Sequence, residues 1–512
     1  MGTIKKAIAL LTPHEKKRGL LVLVLVMGMA LLETAGVASV MPFLAVLGNP
    51  EMIQTNPILN AVYRFGQGFG VDTPDDFLMA LGIGAFLLIV TSAAYKTVTL
   101  YAMNRFIEMR RHSISSRLLE TYLRQPYEFF LNRHSGDMSK TILSEVDQVI
   151  ANVFRPSYNM VAYSLVLVCI TALLIWINPV LALLAAGVLG SLYAIIFVGI
   201  KKKLTQLGGV SVESNKERFM AAGEAIGGIK DIKLLGREAS YLSRFRGHAK
   251  QFASTLATQQ TLNQVPKFAI EAVAFGGLIA IVLVLMVSAG GISGGGLGSI
   301  LPIVGLYAFA AYRLQPALQA IFQGVASLRY GQKAVSNLYA DAFPDVVPSH
   351  LPGRSAVALQ FSKAIGLEKL SYSYPNTNKP ALTDLNLQIP VGSSLGLVGS
   401  TGAGKTTLVD VILGLLRPTD GAITVDGEPV TEEALRAWQQ SLGYVPQDIF
   451  LTDTSIAENI ALGIPADQID QDQVEKCAKM AQVHQFVIDE LPKQYQTLVG
   501  ERGVRLSGGQ RQ

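Results

Sequence analysis

The sequence predicts an all-α polytopic membrane domain, six transmembrane helices with long cytoplasmic extensions, followed by a smaller α/β domain. Three observations predict it. Half of the 512 residues are hydrophobic and only 16% are charged, whereas soluble domains carry about 25% charged residues. The apolar residues concentrate in long runs before about residue 325. Beyond that the pattern alternates, and a glycine-rich loop separates a short apolar run from a helical one. Disorder, collagen and a purely soluble enzyme are excluded. A formal charge of +5 without a clustered basic face argues against a nucleic-acid partner. Cys169 and Cys477 form neither a disulfide framework nor a metal-ligand spacing with histidine.

A span needs about 20 apolar residues to cross about 30 Å of hydrocarbon. Residues 20–47, 77–103, 151–177, 180–200, 266–288 and 299–325 qualify. The first is too long for the apolar region of a cleaved signal peptide. Lys5, Lys6, Lys16, Lys17 and Arg18 place the N-terminus on the cytoplasmic side, because basic residues resist translocation. The loop 48–76 holds only Arg64 against four acids, and both the Asn178–Pro179 hinge and the 290–298 glycine turn are uncharged, so these face outside.

Residues 104–147 and the stretch opening at Lys201–Lys203 are basic, mixed-charge and helix-favouring, so the helices are expected to continue into the cytoplasm. Each stretch breaks near its middle: Gln125-Pro126-Tyr127 leads to Gly136-Asp137, and Gly223 to Gly228 leads to Ile229. Short cross-helices are expected at these turns, as contacts for a soluble domain. Ionisable residues are few within the spans, and Glu33, Lys96, Glu271 and Arg313 stand out. A charge at membrane depth is costly unless it meets a partner or a cavity. Lys96 and Glu271 read as snorkelling near helix ends, and Glu33 and Arg313 as facing a polar interior, with a mutual ion pair as the structural alternative.

The division expected is 1–340 membrane domain, 341–360 proline-bearing linker and 361–512 α/β domain. Leu385, Leu387 and Ile389 alternate as in a half-buried strand, and 395–398 reads as a short buried strand. Then comes Gly399-Ser400-Thr401-Gly402-Ala403-Gly404-Lys405-Thr406-Thr407, the G-x-x-x-x-G-K-[ST] pattern of an α/β P-loop NTPase domain, running into a helix. Its glycines let backbone N–H groups turn inward around phosphates, Lys405 balances phosphate charge and the Thr406 hydroxyl suits Mg²⁺.

Tyr374 stands upstream in Ser371-Tyr372-Ser373-Tyr374-Pro375, Gln447 downstream in Tyr444-Val445-Pro446-Gln447, and Leu506-Ser507-Gly508-Gly509-Gln510 closes the set. Their order and spacing resemble the nucleotide-binding domain of ATP-binding cassette (ABC) transporters, and the six spans with long extensions resemble a half-transporter of the exporter type. The resemblance implies ATP and Mg²⁺ as cofactors, Tyr374 stacking on adenine, and Gln447 contacting Mg²⁺ and the membrane helices. It also implies that Ser507, Gly508, Gly509 and Gln510 bind the γ-phosphate of ATP held by a partner chain. Glu501-Arg502-Gly503 matches the segment that contacts coupling helices. A dimer follows, a homodimer more readily than a heterodimer.

The family continues past the signature with an Asp-Glu strand and a later His. The chain stops at Gln512, and all six histidines precede the signature. Lys405 and Gln447 are therefore the only catalytic candidates within it, and weak ATP hydrolysis is the expectation for these residues alone. Arg313-Leu314-Gln315-Pro316 and the segment from Gly227 to Glu238 are similar to flippases of lipid-linked oligosaccharides. That makes Arg313 and Glu33 substrate candidates, Arg313 through bidentate hydrogen bonds to a pyrophosphate. The alternatives are a multidrug, peptide or lipid exporter and, in another class, a non-transporting ATP-binding regulator. Membrane lipids are expected partners and a bacterial inner membrane the expected location, with the nucleotide-binding domain cytoplasmic.

Overall fold

The structure is a computed structural model and describes residues 2–68, 70–131, 133, 135–177, 179–288, 297–344, 357–375, 377, 379–447, 449–500, 503 and 505–512. It divides into two compact units, Met1–Leu351 and Pro352–Gln512.

The first unit is helical, and local sequence sets where its helices start. Thr12 and Glu15 form a capping box ahead of the Pro13–Gly48 helix, and Thr73 with Asp76 does the same for Pro74–Leu123, each with proline in the first turn. At 50 residues and about 1.5 Å per residue, the Pro74–Leu123 helix is about 75 Å long, far more than a bilayer's hydrocarbon requires. Pro179–Gly227 and Glu238–Ser288 are of similar length. Short helices lie at both expected breaks, Tyr127–Leu131 after Pro126 and Ile229–Leu235 after Gly228. Within the stretch leading to Ile177, Thr141–Glu145 and Ile150–Phe154 are wound as π-helix.

Three helices among the described residues are long and apolar enough to span: Pro13–Gly48, Pro74–Leu123 and Gly136–Ile177. The other three expected spans fall in Pro179–Gly227, Glu238–Ser288 and Leu297–Tyr330. Some side chains of these helices, together with Asn178 and most of the glycine turn (290–296), lie outside what the structure describes. Side chains such as Phe86, Leu87 and Val90 are exposed on the Pro74–Leu123 helix, as lipid-facing residues must be. Small residues allow close helix approach: a Cβ at Gly208 would lie 2.0 Å from the Tyr330 carbonyl oxygen.

The second unit holds a four-stranded antiparallel sheet of order β2-β1-β3-β4, made from Ala364–Tyr372 (β1), Leu382–Pro390 (β2), Asp420–Val425 (β3) and Glu428–Pro429 (β4). Leu387 faces Leu367 and Ile389 faces Ile365, which seats the alternating residues of β2 on one face. The Lys405–Ile412 helix packs on the sheet through Leu408 and Val411 against Leu367, Leu370, Tyr372 and Ile423. A separate cluster of Ile456, Val474, Val487, Tyr495 and Val499 organises the helical segment that follows.

One strand expectation is corrected. Residues 395–398 pair with no strand among the described residues, and Leu395 and Val398 are 47% and 98% exposed. A strand forms only where a neighbour accepts its ladder bonds, and an apolar run by itself does not supply one.

Candidate functional site

The loop between Gly399 and Lys405 is shaped by two glycines in the left-handed region, Gly402 at φ +86° and Gly404 at φ +85°. At Gly404 a side chain is doubly barred, because its Cβ would sit 2.8 Å from the Ala381 carbonyl oxygen. Gly404 is the N-cap of the Lys405–Ile412 helix and supplies no side-chain cap. The first-turn N–H groups therefore have no acceptor within the helix, and the helix dipole adds positive potential there. The Lys405 ammonium curls back and donates to the carbonyl oxygens of Gly399 at 2.8 Å and Ser400 at 2.9 Å. Thr406 is exposed, whereas Thr407 is buried.

Tyr374 is tied to this loop from below. Its hydroxyl lies 3.0 Å from Thr407 Oγ1, and its half-buried ring meets Tyr372 edge-on at 5.0 Å. Loop and tyrosine, distant in sequence, are thus brought together. Ser507 is the N-cap of Gly508–Arg511, in a capping box where Ser507 N–H donates to Gln510 Oε1 at 2.8 Å and Gln510 N–H to Ser507 Oγ at 3.3 Å. Leu506 packs into the helical cluster rather than on the sheet, and among the described residues no hydrogen bond joins Ser507 or Gln510 to the loop. Gln447 is exposed, and Glu501 and Arg502 lie outside the described residues.

In the membrane unit Glu33 is only 2% exposed, and one of its oxygens accepts from Lys96 Nζ at 2.7 Å and from an Arg313 terminal nitrogen at 3.2 Å. Lys96 does not snorkel away; it completes a three-residue cluster joining three helices. Its part was missed in the sequence because pairing between distant helices has no local signature. Arg313 also lies over Phe309 at 5.7 Å, and its buried Nε has no hydrogen-bond partner among the described residues. Two cations against one carboxylate leave a formal charge of +1. Glu271 accepts from Gln315 at 2.7 Å and lies 3.8 Å from Lys267, so it too is partnered.

Comparison with known proteins adds three findings. A family model described as ABC transporter transmembrane region matches residues 21–312, and one described as ABC transporter matches 382–512. The chain is similar to ATP-dependent lipid A-core flippases. It is 27% identical over 418 residues to that of Cupriavidus pinatubonensis, covering 80% of this chain and 67% of the relative. It is 26% identical over 482 residues to that of Thiobacillus denitrificans, covering 92% and 79%. A solved structure, a bacterial Atm1-family ABC exporter with ATP bound, superposes with a TM-score of 0.71 at 20% identity, over 97% of this chain and 82% of the other. At that identity the likeness speaks to fold.

Proposed function

Because this chain belongs to the ABC transporters, with that family's transmembrane region and its ATP-binding domain in one polypeptide, we propose that it is one half of an ATP-driven lipid flippase. It acts as a dimer, most simply of two copies, on an amphipathic lipid with an anionic, phosphate-bearing headgroup. A lipid-linked oligosaccharide is one such lipid. The observation that carries the substrate class is the Glu33–Lys96–Arg313 cluster: a net positive charge inside the spans, with the Arg313 Nε donor unpaired. Such a cluster favours a phosphate over a neutral headgroup. The naming of several relatives as lipid A-core flippases points the same way.

ATP is bound through the loop N–H groups and Lys405, with Tyr374 beneath the base and Ser507 to Gln510 of the second half against the terminal phosphate. The donors fit Mg²⁺, since Thr406 and Gln447 offer exposed oxygens, and phosphate and water complete an oxygen shell. When bound, the ion shields the phosphate charge. The N-terminus and the ATP-binding domain lie in the cytoplasm of a bacterial inner membrane, and the turns at Tyr127–Leu131 and Ile229–Leu235 pass domain closure to the spans. The test is substrate-stimulated ATPase of the full-length protein, with the Asp-Glu strand and His of the family, in proteoliposomes. A phosphorylated glycolipid should stimulate the wild type, and Arg313→Ala should abolish that stimulation while basal turnover persists. Equal stimulation of both would remove Arg313 and the anionic-headgroup reading together.

A further inference from the structure

A positively charged recess lies apart from the Glu33 cluster. Between the N-terminal Thr3–Ala9 helix, the Gly136–Ile177 helix and the end of Leu297–Tyr330 is a cavity of about 680 Å³. Its walls carry three cations, Lys5, Lys6 and Arg329, and no carboxylate; Met160, Val325 and Leu328 line its apolar part. None of Glu33, Lys96 and Arg313 lines it. Lys6 is already committed, donating to Ser336 Oγ at 2.8 Å and lying 5.7 Å over the Tyr339 ring, which holds the N-terminal helix in place. Lys5 and Arg329 are exposed and make no ion pair among the described residues. Along the same helix Ile4, which also lines the cavity, and Ile8 are 44% and 47% exposed, while Ala7 is buried against the protein. A short helix with exposed apolar residues and lysines beside a recess suits a membrane interface.

We propose that this cavity holds the headgroup of an anionic phospholipid, with its phosphate between Lys5 and Arg329 and its acyl chains along Met160, Val325 and Leu328. The volume is within the ordinary range for a small-molecule pocket, and basic recesses at membrane-helix ends suit anionic headgroups. The occupant is a lipid rather than free phosphate because Ile4, Met160, Val325 and Leu328 give the cavity an apolar wall, drawn in part from two spanning helices. It is drawn from the leaflet that faces the N-terminus, which rests on the cytoplasmic placement proposed above. The bound lipid would brace the N-terminal helix against the last span.

The test is lipid retention by the purified full chain, measured by native mass spectrometry with phosphatidylglycerol and phosphatidylcholine as competing probes. Wild type should retain phosphatidylglycerol preferentially. K5Q/R329Q should lose that preference by about tenfold or more, with phosphatidylcholine unchanged. K16Q/K17Q, which alters two exposed cations outside the cavity, should keep it. Equal losses in both variants would mean general surface electrostatics and overturn the site. Displacement by millimolar inorganic phosphate would overturn the lipid in favour of a free anion. A change of oligomeric state in K5Q/R329Q with lipid retention unaltered would assign the cavity to a second copy instead. A photoactivatable phosphatidylglycerol should crosslink to residues 2–6 or 325–336, which reports the site without any substitution. The leaflet is read separately, from labelling of K5C by an impermeant maleimide in oriented vesicles with Cys169 and Cys477 replaced by serine. Labelling from the outer face would overturn the cytoplasmic placement and the leaflet while leaving the binding result standing.

Discussion

Glu33 shows how a single buried carboxylate organises charge inside a membrane unit. With Glu33 2% exposed and held by both Lys96 and Arg313, its removal leaves two like charges in low dielectric without an anion. Glu33→Gln is therefore expected to lower thermal stability in detergent by about 3–5 kcal/mol. The double change E33Q/K96M should recover part of that loss, since one stranded cation goes with the carboxylate. Thermal unfolding of the two variants checks this, and an E33Q midpoint equal to wild type would show that the cluster is hydrated. Half of the cluster was legible: an acid and a base within spans signal a partner. That Lys96 is the second cation was not, because 63 residues and a helix hairpin separate it from Glu33.

At the scale of elements, two short pieces carry testable consequences. The Ile229–Leu235 helix ends at Gly236, whose φ of +63° lets the chain reverse into Glu238–Ser288. It leaves Leu234 and Leu235 83% and 68% exposed. Adjacent exposed leucines mark a contact surface, so on the coupling role proposed for this turn L234D/L235D should uncouple the full-length protein, with ATP turnover kept and lipid movement lost. Vesicle transport and ATPase measured on one preparation decide it. The turn after β3 offers a pH prediction. Asp426 accepts backbone N–H bonds from Ser362 at 2.8 Å, Lys363 at 2.7 Å and Ala364 at 3.0 Å, anchoring the start of β1. The Ser362 bond leads in holding its carboxyl below the ordinary 3.8. A group with a depressed folded pKa stabilises above its unfolded value, and that contribution is lost as pH falls through the folded one. D426N should thus be less stable than wild type at neutral pH, with the gap closing below about pH 3.8, measured as the unfolding midpoint of the ATP-binding unit.

For the whole molecule, Lys405 opens the helix that packs on the sheet through Leu408 and Val411, whereas Ser507 follows Leu506 of the separate helical cluster, which fits a composite ATP site shared between two chains. K405A and S507R should each fail to trap ATP alone. Mixed before assembly, they should regain about a quarter of the wild-type sites, since half the dimers are mixed and each of those holds one intact pair. No recovery on mixing would argue for a site built within one chain. Membrane character, long helical extensions, cross-helices at Pro126 and Gly228 and the phosphate loop were all readable from the sequence. Each is set by local rules: apolar run length, proline and glycine punctuation, and glycines placed where the loop turns left-handed, at Gly402 and Gly404. Tertiary structure alone decided which charges meet inside the spans, that Tyr374 reaches Thr407 under the loop, and that 395–398 stands without a ladder. These depend on which distant segments become neighbours, and neighbourhood is a property of packing that no local pattern encodes.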